Sequence, residues 1–334
     1  MNLSDSRIHY YIHCIYNIFN ILNMRNYRFK IILTSFLCFI SSFLLAQNLT
    51  LSREEMIELT PKWKGERFPD GRPKVSDDIL KRMKEIPLEQ AWGVLRAEGY
   101  LNQYEGNWKD IHPGEVLVGR ALTAQFMPLR PEVREQLEKK GIEKGHVGDM
   151  VSWPIDLLQS GDVYVADSYG KVENGPIIGS NLGTSILAKT GNGVVFNGTV
   201  RDLRDLNDMK GFTAFVRGDH PSYQQQMMLT GINISIRIGG VTVLPGDIVL
   251  GYLDGVIFIP PHLAERIVKI GELVKVRDEF GQQRLREGKY TAGQIDGRWS
   301  PEIEKDFASW MDTNNIKLRF PKEEFQDLLK VRTW

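Results

Sequence analysis

From Val75 onward the apolar and polar positions follow two periods, one helical and one extended. Ser76-Asp77-Asp78 opens a helical pattern that runs to about Lys84, with Ser76 as its cap. A second helical pattern covers Leu88 to Glu98. The run Gly114 to Ala124 alternates as a strand, and the charged stretch 131–145 reads as loop or helix. Short apolar runs separated by glycine turns follow: Val163–Ala166, Gly193–Gly198, Thr213–Val216, Ile232–Ile238, Val241–Val243, Ile248–Gly251 and Val256–Ile259. A helix is expected over Leu182–Lys189, and Pro260-Pro261 open a long one that ends near Gly281. Many short strands with few helices predict an α/β or α+β core without a clean βαβ alternation. On either side lie a polar segment, 47–73, which reads as an extended N-terminal arm, and a tail, 289–334. The arm holds Pro61, Pro69, Gly71 and Pro73; the tail, with Trp299, Trp310 and Trp334 among charges, reads as docked.

The first residues follow a different pattern. Met24 to Lys30 is basic, Ile31 to Leu45 is almost wholly apolar, and Ala46-Gln47 returns the chain to polarity. A basic start, a short apolar middle and a small residue at the exit predict a signal peptide over 1–46, cleaved near Ala46-Gln47. Residues 1–23 then form an over-long start ahead of Met24. The apolar run falls short of the roughly 20 residues of a membrane-spanning helix. The expectation is export to the periplasm, with no stable membrane span after cleavage.

Cleavage changes the charge and the chemistry available. It removes Arg7, Arg25, Arg28 and Lys30 against Asp5, so the 42 basic and 42 acidic groups become 38 and 41. Cys14 and Cys38 leave as well, which excludes disulfides, a thiolate nucleophile and cysteine–zinc sites from the mature chain. The balanced charge argues against a general nucleic-acid binder.

The stretch from Gly179 to Asp202 carries the candidate chemistry. Gly179-Ser180-Asn181-Leu182 opens a helix, and the unpaired amides and positive dipole end of a helix start suit an anion. The strand that follows ends at Arg201-Asp202. An arginine fork grips a carboxylate, and an aspartate is a hard oxygen ligand for Mg²⁺ or Mn²⁺. Together they would hold a 2-oxo acid, with the amides and Arg201 on its carboxylate and a metal on Asp202 at its keto oxygen. Gly191-Asn192-Gly193 leads into a strand, so it is no dinucleotide fingerprint. Asp162 and Asp247, each after a glycine at a strand entrance, read as turn formers. His146 reads as a surface residue, whereas His220, in Gly218-Asp219-His220-Pro221, is the better acid–base candidate.

Ser160-Gly161-Asp162-Val163, the unbroken spacing from Gly179 to Arg201-Asp202, Gly239-Gly240-Val241-Thr242-Val243, Pro245-Gly246-Asp247 and Gly251 to Pro260 form a set. As a set they resemble the RraA-like family, which contains class II 4-hydroxy-4-methyl-2-oxoglutarate aldolases and the regulator of RNase E activity. The resemblance covers about 74–288. It implies a single α/β core of the β/β/α swivelling kind with terminal extensions, assembled as a homotrimer or hexamer with sites between subunits. It also implies a metal-binding role for Asp202, a substrate-gripping role for Arg201, and a carboxylate-binding loop at Gly179, Asn181 and Leu182. Ser180 departs from the acidic residue that the aldolases usually carry there for proton transfer through water, and Asn197 replaces a common aspartate. A carboxylate crossing from a neighbouring subunit would fall near Asp278 or Glu279.

The implied activity is a divalent-metal lyase, cleaving or decarboxylating a 2-oxo acid through a pyruvate-enolate-like intermediate. Two alternatives stand beside it. One is action on a sugar acid or oxidised sugar by lyase, hydratase or epimerase chemistry, and the other is a non-enzymatic binding protein. Export argues against RNase E as a partner, and no glycine-rich methyltransferase cofactor loop is present.

Overall fold

The structure is a computed structural model that describes residues 49–253 and 255–321. The signal segment, the Ala46-Gln47 junction, Cys14, Cys38, Asp254 and Trp334 lie outside the described residues.

Eleven strands follow one another: β1 (Tyr104–Glu105), β2 (Lys109–Asp110), β3 (Leu117–Pro128), β4 (Asp162–Asp167), β5 (Val194–Val200), β6 (Ala214–Asp219), β7 (Met227–Ile232), β8 (Ile236–Ile238), β9 (Val241–Val243), β10 (Ile248–Tyr252) and β11 (Gly255–Ile259) among the described residues. Ten helices accompany them there: α1 (Arg53–Leu59), α2 (Asp77–Met83), α3 (Leu88–Ala97), α4 (Pro131–Glu143), α5 (Trp153–Asp156), α6 (Ser180–Thr190), α7 (Leu203–Asn207), α8 (Ala264–Arg286), α9 (Ala292–Ile295) and α10 (Pro301–Thr313).

The alternation of apolar residues within each strand sets the layers. In β4, Val163 and Val165 join one apolar cluster while Tyr164 and Ala166 join another. The main sheet runs β1-β11-β10-β3-β4-β5-β6-β2, and β7 pairs with the far end of β3. Its centre, β3-β4-β5-β6, is parallel. One face is covered by helices: α6 through Ile186, and α2, α3 and α8 through residues such as Met83, Val94 and Val268. The other face receives Ile236, Ile238, Val241 and Val243 of the β8–β9 hairpin. Hairpin, sheet and helices make a β/β/α arrangement, as expected. The parallel centre is more regular than the sequence pattern predicts, with α6 crossing from β4 to β5.

Local expectations and structure agree closely for α2, where the Ser76 side chain accepts from the Ile79 amide, and for α3. The run 232–238 instead divides into β7 and β8, because a turn at Asn233, with φ 52°, breaks it. The arm is not extended throughout. Ser52 and Glu55 form a reciprocal capping box that starts α1, and Thr50 bridges to Ile232. The described part of the tail, 289–321, packs on α8. Trp299, Ile303, Phe307 and Trp310 surround Phe280 of α8, and Arg284 makes two bonds of 2.8 and 2.9 Å to Asp306. Among the described residues no helix is long and apolar enough to cross a membrane.

Asp247 confirms its turn role, since its side chain accepts from the Leu244 amide at 2.8 Å, but it is also 3% exposed. Burial pushes its carboxyl up to about 7. The folded protein therefore holds a proton there that the unfolded chain releases near pH 4. The stability this proton contributes is full below that point and is lost as pH rises toward 7, by up to about 1.4 kcal/mol per pH unit. Asp247→Asn is expected to flatten this loss and to be more stable than wild type at pH 8, as compared by urea midpoints at pH 5 and pH 8.

Candidate active site

The parallel strands β3 to β6 end at one edge of the sheet, the edge where ligands of open α/β sheets bind. Here β5 ends at Val200 and α6 begins at Ser180. An isolated bridge, Ile178 to Val200, and a bond from the Arg201 amide to the Ile178 carbonyl (3.0 Å) tie the two together. The spacing of the motif thus becomes a contact across 22 residues.

Asp202 takes a left-handed backbone, φ 55° and ψ 40°, which aspartate tolerates better than most residues. That conformation turns its carboxylate back onto the start of α6. Oδ2 accepts from the Ser180 amide at 3.0 Å and lies 3.5 Å from the Ser180 hydroxyl. Gly179 is required by close approach, because a Cβ there would collide with Asp202 Oδ2 and press on Arg201. Arg201 Nε is 3.8 Å from the same oxygen, a loose pair with both side chains about two-fifths exposed. Each is therefore available to a ligand.

One expectation changes. The first anion at the helix start is the protein's own Asp202, so the Ser180 amide is already engaged. The Asn181 and Leu182 amides remain for an outside carboxylate.

Gly179, Asn181, Leu182, Arg201 and Asp202 line one cleft of about 230 Å³. Ser180 stands beside it through Asp202. Its walls are completed by Asp149 and Val151 from the loop between α4 and α5, by Pro176, Ile177 and Ile178 ahead of α6, and by Tyr223 and Gln224 after β6. Sequence reading singled out none of these, since nothing local marks Asp149 or Tyr223 as facing a site built from residues tens of positions away along the chain. His220 is not among the lining residues. Its amide bonds the Val200 carbonyl, and its Nδ1 is 2.8 Å from the Ser222 hydroxyl. His146 stacks on Trp153 with ring centres 4.9 Å apart.

A polar network that sequence reading did not foresee lies along the same strands. The Asn197 amide donates to Asp167 at 2.8 Å and accepts from Arg217 Nε at 3.0 Å, while Arg217 reaches Glu105 at 2.5 Å. An aspartate at 197 would set two carboxylates against each other here, so the amide is the residue that fits this network.

The donor set limits the metals that fit. Among the described residues no group of three or more His, Cys, Asp or Glu side chains is placed to hold a metal. One ligating carboxylate, Asp202, in an open cleft suits Mg²⁺ or Mn²⁺, which keep water and substrate oxygens as ligands.

Residues 73–258, more than half of the chain, match the RraA-like family model, described as aldolase/RraA. The chain belongs to the RraA-like family. Among RraA-like relatives, a Halalkalibacterium halodurans protein provisionally named 4-hydroxy-4-methyl-2-oxoglutarate aldolase is 31% identical over 127 residues, 37% of this chain and 59% of that one. An uncharacterized protein of Methanocaldococcus jannaschii is 31% identical over 97 residues, 29% of this chain and 46% of its own. The chain thus spans about half the length of these curated relatives. The crystal structure of Streptomyces coelicolor RraAS2, described as an unusual member of the RNase ES inhibitor RraA family, superposes with a TM-score of 0.54. It is 24% identical and the match covers 64% of this chain and 98% of that one, a likeness of fold.

Proposed function

We propose that this RraA-like protein is a divalent-metal-dependent carbon–carbon lyase that acts on a small 2-oxo acid. The observation that carries the reading is the juxtaposition of Arg201, Asp202 and the start of α6 in one cleft. A guanidinium, a carboxylate and helix-start amides are the three groups that a metal and a 2-oxo carboxylate require together. The cleft volume of about 230 Å³ favours a compact acid, since sites for larger ligands run roughly 300–1,000 Å³. The aldolase name of a relative supports the same class.

In this reading Asp202 would hold Mg²⁺ or Mn²⁺, which supplies electrophilic polarisation of the 2-oxo group when bound. Arg201 and the Asn181 and Leu182 amides hold the substrate carboxylate and fix the angle of the adjoining carbonyl. Ser180 orients Asp202 through its amide. Arg201, held on the adjoining carboxylate, would also stabilise charge that develops on the 2-oxo oxygen. The proposal includes assembly as a homotrimer or hexamer and a working place outside the cytoplasm.

The test is pyruvate release from 4-hydroxy-4-methyl-2-oxoglutarate and from oxaloacetate. Release that starts with added Mg²⁺ or Mn²⁺ and stops with a chelator is the expected result. Metal-independent release, or none from either acid, would reject the reading. Turnover of sugar acids instead would select the hydroxylated-substrate alternative, to which the amides of Asn181 and Gln224 and the phenol of Tyr223 lend hydrogen-bonding groups.

A further inference from the structure

The proposed lyase reaction needs a group that takes a proton from the substrate and returns it, and Ser180 carries only a hydroxyl. The cleft itself supplies few candidates. Arg201 has no acceptor, and the amides of Asn181 and Gln224 do not take up protons. Tyr223 brings a phenol, whose O–H enters as a donor. Asp202 is held by the Ser180 amide and is the metal ligand of the reading. His220 lies outside the lining, with Nδ1 engaged by Ser222. Within one protomer a single further carboxylate remains among the lining residues, that of Asp149.

Asp149 sits on a firmly anchored turn. Met150 and Trp153 beside it are buried, and the Ser152 amide and hydroxyl both donate to the Asp149 carbonyl, at 2.9 and 2.7 Å. Its side chain is oriented from two sides. The Val151 amide donates to Oδ1 at 3.3 Å, and Arg134 Nη2 stands 3.7 Å from Oδ2. The carboxylate is more than half exposed, so it can exchange protons with water between turnovers.

From this geometry we infer that Asp149 is the acid–base residue of the cleft, an assignment that rests on the lyase reading above. The step is written for 4-hydroxy-4-methyl-2-oxoglutarate, the test acid of that reading. An Asp149 oxygen takes the proton of the C4 hydroxyl, and the O–H electron pair becomes the second bond of a C4 carbonyl. The C3–C4 bond breaks, and its electron pair enters the C2–C3 bond as the C2 carbonyl becomes an enolate. Protonated Asp149 then gives its proton to C3, the C2 carbonyl re-forms, and pyruvate leaves with the new carbonyl compound. No co-reactant is consumed.

The experiment compares wild type, Asp149→Asn and Asp149→Glu in three measurements. These are pyruvate release from 4-hydroxy-4-methyl-2-oxoglutarate, exchange of the pyruvate methyl hydrogens into deuterated water by NMR, and calorimetric binding of oxalate with Mg²⁺. Asp149→Asn is expected to lose about 10²–10⁴-fold in kcat and in exchange. Its KM, its oxalate affinity and its melting temperature should stay near wild type, and Asp149→Glu should recover part of the rate. A kcat within threefold of wild type would overturn the assignment. So would a raised KM at unchanged kcat, which would make Asp149 a binding group only. Failure of the underlying reading looks different, because wild type itself then releases no pyruvate, and the assignment falls with it.

Discussion

Asp202→Ala is expected to abolish metal-dependent pyruvate release, by about 10³-fold or more, the scale of removing a principal transition-state stabiliser. Three losses coincide. The metal loses the carboxylate assigned to it, the Ser180 amide loses its acceptor at 3.0 Å, and alanine must occupy a backbone with φ 55°. The last of these costs about 1–2 kcal/mol of stability and would blur the reading. Asp202→Asn separates the effects. Asparagine tolerates the left-handed region and keeps an oxygen for the Ser180 amide, but carries no charge for the metal. The expected result is a melting temperature near wild type, with activity lost and not restored by tenfold more Mg²⁺. Asp202→Asn retaining activity within tenfold of wild type would remove the metal role from Asp202.

The largest expected effect on stability comes from Arg72→Ala. Arg72 is 1% exposed and bonds Asp162 Oδ2 at 3.1 Å across 90 residues, while its Nε reaches Asp70 at 2.8 Å. Asp162 is fully buried, and its Oδ1 has no hydrogen-bond partner among the described residues, with Arg120 Nε 3.8 Å away. Removing Arg72 leaves that carboxylate with the Gln159 amide and the distant Arg120. Breaking a buried pair from one side costs about 3–5 kcal/mol, because a charge remains in a poorly solvating interior. Urea unfolding should show this loss, while activity per folded molecule stays near wild type because Arg72 lies outside the cleft. Arg72→Lys keeps a charge without the planar fork and should lose less. A loss for Arg72→Ala under about 1 kcal/mol would mean that Arg72 does not hold the arm to the core.

The legible and illegible parts of this site divide by distance along the chain. Gly179, Asn181, Leu182, Arg201 and Asp202 could be found because they lie in one helix–strand unit with a fixed spacing, and the structure brings them to one cleft. Asp162 and Asp247 were readable as turn residues, since each accepts a bond from a backbone amide three residues before it. Their burial, and the partnership of Asp162 with Arg72, left no local mark. The capping box at Ser52 and Glu55 was written in the sequence, but the prolines and polar residues around it outweighed it in the reading of an extended arm.

What the sequence by itself determined are the periods, the caps and the motif. The apolar run Val163–Ala166 after its glycine turn marked β4 as a strand. Ser76 started α2, and the Gly179-to-Asp202 spacing carried the family resemblance. These depend on backbone geometry over a few residues or on one recurring unit. The tertiary structure alone decided which loops wall the cleft, which helix-start amide Asp202 takes for itself, and which charges are buried. Those outcomes depend on strand register and loop closure between segments tens of residues apart. A residue such as Asp149 looks the same in sequence whether its loop closes over the site or points into solvent.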